Sequence, residues 1–105
     1  MVSEKTTTKE KLNPYELTII LKPDLAEEKL EAVIENIRKQ ITGKGGIIQD
    51  TQKWGKRRLA YEIKHNKEGV YVLFRFQAKP ANNRELETNL KISEDVLRHL
   101  LIKIA

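Results

Sequence analysis

The spacing of apolar side chains along this chain switches between two periods, and the order of the switches leaves few folds open. Leu17, Ile19 and Leu21 fall on every second position, as in a half-buried strand. Leu30, Val33, Ile34, Ile37 and Ile41 then repeat at helical spacing and form one stripe. Period two returns from Ile47 to Lys64, and again from Val70 to Ala78, where Val70, Val72, Phe74 and Phe76 share a face. Pro80 and the Asn82-Asn83 pair open a shorter helix that packs through Leu86, Leu90 and Ile92. Val96 to Ile104, rich in Leu and Ile, reads as a last strand.

Strand, helix, strand, strand, helix, strand with right-handed crossovers predicts an α+β chain of ferredoxin-like βαββαβ order. Its four-stranded antiparallel sheet would carry both helices on one face and leave the other open. Ile20, Tyr71 and Leu73 fall on that open face, unless the third strand faces the other way. Pro23 and Asp24 end the first strand, and Asp24 is a candidate cap for a helix from Ala26 to Thr42. Glu27, Glu28 and Glu31 crowd the start of that helix, with Arg38 and Lys39 near its end, in accord with the helix dipole. Gly43, Gly45 and Gly46 stop it, Gly55 marks a bend or bulge in the second strand, and His65 to Gly69 reads as a hairpin loop.

A chain of 105 residues is one domain by length. Residues 1–13 contain only Val2 and Leu12 as sizeable apolar groups, so they are expected to be a disordered tail before a single domain at 14–105. No apolar run approaches the roughly 20 residues needed to span a bilayer, and the N-terminus has no signal core. The absence of cysteine excludes disulfides, thiolate zinc sites and cysteine nucleophiles.

Lys and Arg number 20 against 15 for Asp and Glu, a formal charge of +5 that suits a polyanionic partner. Six of the cations, Lys53, Lys56, Arg57, Arg58, Lys64 and Lys67, lie between positions 53 and 67, with Glu62 the single acid there. Leu59, Tyr61 and Ile63 alternate with Ala60, Glu62 and Lys64, so these charges ride on a strand rather than a tail. Each phosphate contact they made would add salt-sensitive binding. A solvated edge strand, shielded by cations from pairing with other sheets, accounts for the same charge. Arg57 and Arg58 point to opposite sides if the segment is extended. Trp54 is either a packing residue beside the bend or a platform for a base or sugar.

Signals for an enzyme are thin. His65 and His99 have neither metal-ligand spacing nor a nucleophile beside them. Gly43-Lys44-Gly45-Gly46 follows a helix instead of opening one, so it is no phosphate cradle. Acylphosphatases share the element order, but Lys22-Pro23-Asp24-Leu25 is not their anion-cradling loop. The RNA recognition motif stacks bases on third-strand aromatics. Glu68 to Arg75 has an acid in place of its leading cation and its aromatics out of register, so base readout of that kind is excluded.

Gly55-Lys56-Arg57-Arg58-Leu59-Ala60-Tyr61-Glu62-Ile63-Lys64 closely resembles the bacterial-type small-subunit ribosomal protein six family. Tyr15-Glu16, Lys22-Pro23-Asp24-Leu25 and Gly69-Val70-Tyr71 extend the resemblance over about Pro14 to Ile104. It implies a structural ribosomal protein in the cytoplasm, with no catalysis, cofactor, metal, membrane or small-molecule substrate. Such proteins bind the central domain of small-subunit ribosomal RNA as a heterodimer with ribosomal protein eighteen. The stretch before Pro14 exceeds the family's usual start, as in a cyanobacterial or plastid-type variant. Within that frame the candidate RNA-binding residues are Lys56, Arg57, Arg58, Lys91 and Arg98. The candidate partner-protein residues, expected to be exposed, are Trp54, Tyr61, Tyr71 and Leu73.

Overall fold

Alternation in the first strand builds the sheet's centre. In the computed structural model, which describes residues 12–104, β1 (Asn13–Leu21) turns Tyr15, Leu17, Ile19 and Leu21 inward as a buried row. It pairs antiparallel with β3 (Asn66–Ala78) on one side and β4 (Val96–Lys103) on the other. β2 (Ile47–Ile63) pairs with the far side of β3, giving the order β2-β3-β1-β4. With α1 (Glu27–Thr42) and α2 (Pro80–Ile92) as crossovers, this is the expected ferredoxin-like βαββαβ fold. Met1 to Lys11 of the expected tail lie outside the described residues, and Asn13 already opens β1.

The core lies between one sheet face and the helices. Leu30, Ile34, Ile37 and Ile41 of α1 and Leu86 and Leu90 of α2 meet Val70, Val72, Phe74 and Phe76 of β3. Tyr15 and Phe76 stack with ring centroids 5.8 Å apart. Burying each phenylalanine contributes about 1.5–3 kcal/mol, so β3 is the chief anchor of the sheet.

Three local expectations are corrected. Asp24 does not cap α1: Ala26 occupies that position without a side-chain hydrogen bond, and Glu27 and Glu28 supply the favourable charge instead. Ile92 does not pack but is 74% exposed, because α2 ends there and its apolar stripe closes at Leu90. The hairpin loop is not His65 to Gly69. Lys64 and His65 alone turn the chain, with φ of 50° and 68°, and Ile63 pairs with Asn66. Two consecutive left-handed residues match the right-handed twist of the strands. The Asn66 side chain donates to the Lys64 carbonyl at 3.0 Å and ties the turn down. No helix among the described residues is long and apolar enough to cross a membrane.

Candidate nucleic-acid interface

β2 is an edge strand, and its irregular pairing decides where its cations point. Lys53 pairs with Val72 but Gly55 with Tyr71, so Trp54 is an extra residue in a bulge. Gly55 takes φ 86° there, a conformation that side chains avoid. Beyond the bulge Lys56 pairs with Val70, Arg57 with Gly69 and Arg58 with Glu68. Directly opposed residues share a face. Lys56 and Arg58 therefore lie on the side of the buried Val70, and Arg57 on the open side. All three are exposed.

The bulge also puts Trp54 on display. Its ring is 48% exposed, its indole N–H donates to Gln52 Oε1 at 2.9 Å, and the Arg57 guanidinium sits 5.5 Å from its centroid. This is a cation–π pair on the open side, which aims Arg57 without neutralising it. The packing role considered for Trp54 does not hold.

Lys53 is the cation that drops out. Its ammonium lies 3.1 Å from Glu27 Oε2 and also bonds Glu31, so it staples β2 to the first turns of α1. The hydrogen bond and charge of Lys53 lower the Glu31 pKa below its usual 4.5, and the bonds to Glu31 and Glu27 raise that of Lys53. The Glu31 contribution to stability is thus present above 4.5 and is lost as pH falls through its lowered folded value. In Lys53→Gln, the Glu31 carboxyl carbon should titrate by NMR close to 4.5 rather than below it.

The end of β2 carries surplus chain. Arg58 pairs with Glu68 and Ile63 with Asn66, which leaves Leu59, Ala60, Tyr61 and Glu62 opposite Lys67 alone. The surplus folds onto the open sheet face. Leu59 is buried there, Tyr61 hydrogen-bonds Arg98 of β4, and together with Ile20, Tyr71 and Leu100 they border a groove of about 240 Å³. Leu73 is buried, 6% exposed, so it supports this face from within instead of presenting a side chain. Tyr71 is half-buried and Tyr61 is 59% exposed. Leu100 and Ile102, not among the candidates, extend the exposed apolar surface along β4. The signal for them in the sequence is the period-two alternation of Arg98, Leu100 and Ile102, and pairing opposite Ile20, Thr18 and Glu16 puts that row on the open face.

The remaining cations gather elsewhere. Lys91 at the end of α2 and Arg98 share a second depression, of about 250 Å³, with Lys64 of the hairpin turn. Lys64 belongs to the basic run but is not among the candidate residues; only the hairpin's curl brings it to Lys91. His99 faces Glu87 at 3.5 Å, a satisfied histidine between β4 and α2. The five candidate cations thus form no single cluster. Lys56, Arg57 and Arg58 lie on the outer edge of the hairpin, Lys91 at the end of α2 and Arg98 at the start of β4.

A family model described as Ribosomal protein S6 matches residues 14–103. The small ribosomal subunit protein bS6 of Desulforamulus reducens is 46% identical over 89 residues, covering 85% of this chain and 94% of the relative. That of Carboxydothermus hydrogenoformans is 46% identical over 92 residues, covering 88% and 96%. Among solved structures, the 30S ribosomal protein S6 from Thermotoga maritima superposes with a TM-score of 0.85 at 30% identity, covering 90% of this chain and 89% of that one. The C-terminal domain of the MgtC protein from Mycobacterium tuberculosis, with a TM-score of 0.63 at 14% identity, shares the fold alone.

Proposed function

The chain belongs to the ribosomal protein S6 family of the small subunit, a family of structural proteins and not of enzymes, and on that premise we propose how it is held there. It binds the central domain of small-subunit ribosomal RNA together with ribosomal protein eighteen, in cytoplasmic ribosomes. Lys56, Arg57, Arg58, Lys91 and Arg98 meet phosphates. Trp54, Tyr61 and Tyr71, backed by the buried Leu73, receive the partner protein. Phosphate contacts set position, while RNA shape and the partner supply specificity.

The observation that carries this reading is the exposed triplet Lys56, Arg57 and Arg58, none of which has an acidic side chain bonded to it among the described residues, in contrast to Lys53 on the same strand. Free cations on a rigid edge release counterions on meeting a phosphate chain; a cation already paired with carboxylates does not. Arg57→Ala with Arg58→Ala should leave the circular dichroism unchanged. In a salt titration of central-domain RNA binding, with protein eighteen present, the slope should shrink by about 1.5 and affinity fall about tenfold or more. An unchanged slope would remove these residues from the interface.

A further inference from the structure

Arg98, a candidate phosphate ligand, is already engaged: its Nη1 donates to the hydroxyl of Tyr61, a candidate partner-protein contact. The two residues come from opposite borders of the open face. Arg98 stands opposite Ile20 on β4, and Tyr61 belongs to the surplus segment of β2 that curls across from the other edge. Their bond bridges the groove floored by Ile20, Leu59 and Tyr71. The Tyr61 ring is largely exposed, so the hydroxyl contact, and not burial, holds it over the groove.

We infer that this bond is a latch coupling the two binding events, an inference that rests on the function proposed above. A guanidinium grips phosphate best with two parallel N–H groups of its fork. While Nη1 serves Tyr61, one face of the fork is taken by a neutral acceptor. A partner side chain that enters the groove and draws the Tyr61 ring onto itself breaks the latch and returns the whole fork to phosphate. RNA arriving first must break the same bond unaided. Each ligand therefore strengthens the other through one hydrogen bond, and linkage requires the two effects to be equal.

Tyr61→Phe removes the hydroxyl and keeps the ring. Binding of a central-domain ribosomal RNA fragment is measured with and without protein eighteen. Without the partner, Tyr61→Phe should bind RNA about three- to tenfold more tightly, with a salt slope steeper by up to about one phosphate contact. The partner's enhancement of RNA binding should shrink by the same factor, and so should RNA's enhancement of partner binding. In an Arg98→Gln background, Tyr61→Phe should bring no gain in partner-free RNA affinity, which separates the latch from a structural effect on the hairpin. No gain in partner-free affinity, or a gain that survives Arg98→Gln, overturns the latch while leaving the proposed function standing. Absence of RNA binding in every variant, with and without protein eighteen, overturns both.

Discussion

Phe74→Ala should cost about 3–5 kcal/mol, the largest loss expected from any single truncation in this chain. Phe74 is completely buried in β3, paired with Leu17 on one side and Thr51 on the other. The surrounding wall is sheet backbone and two helices, which cannot collapse into the space left behind, so a cavity adds to the lost transfer energy. Small domains unfold with only about 5–15 kcal/mol in hand, so this change alone populates the unfolded state measurably. Urea unfolding followed by circular dichroism should show the midpoint falling by roughly 2 M at an unchanged slope. The functional loss follows from position. Leu73 and Arg75 flank Phe74 and carry the middle of the open face, so the surface proposed to receive the partner loosens with the core beneath it. A midpoint shift under about 0.5 M would mean that the helices, not β3, anchor the sheet.

What could be read in advance divides along the range of the interactions. Leu17, Ile19 and Leu21 declared β1 because a strand's period is set within a few residues, and the α1 stripe declared itself for the same reason. With the element order known, handedness left few topologies, and the fold followed. Alternation places Leu73 on the open face but does not say how deeply a side chain sits there, and Leu73 is buried. The curl of β2 is equally outside the reach of periodicity, because it is a consequence of pairing. Three extra residues in β2 relative to β3, accumulated between Arg58 and Ile63, have to go somewhere, and they go over the open face. Asn66 to Gly69 look like loop because Asn and Gly are turn-forming residues and bracket two charged ones. They form strand because the turn is complete within Lys64 and His65. The neutralisation of Lys53 was equally hidden, since Glu27 and Glu31 approach it only after α1 packs beside β2. The identities of the candidate cations were legible in the basic run; their partition between paired and free was not.

Gly69→Val should be destabilising by about 1–3 kcal/mol, although a valine in the body of a strand is ordinarily an improvement over glycine. The φ of Gly69 is not among the left-handed values, so glycine is not needed for conformation. It is needed for space: a Cβ there would lie 2.4 Å from Ile20 Cγ2 and 3.2 Å from the Leu21 carbonyl oxygen. Neither neighbour yields easily, since Ile20 Cγ2 is attached directly to its own Cβ and the carbonyl belongs to β1. The strand-propensity gain is at most about 1 kcal/mol, smaller than the strain it opposes. Leu59 would sit 3.6 Å from the new Cβ, an ordinary van der Waals contact, so the strain falls on Ile20 and the β1 backbone. Ile20→Ala removes the methyl that clashes. The double variant Gly69→Val with Ile20→Ala should therefore be more stable than the sum of the two single changes by about 1–2 kcal/mol, read from urea midpoints. Strict additivity would show that Gly69 is not the clearance that lets the hairpin fold onto the sheet. The groove on the open face would then owe its shape to the Lys64-His65 turn alone.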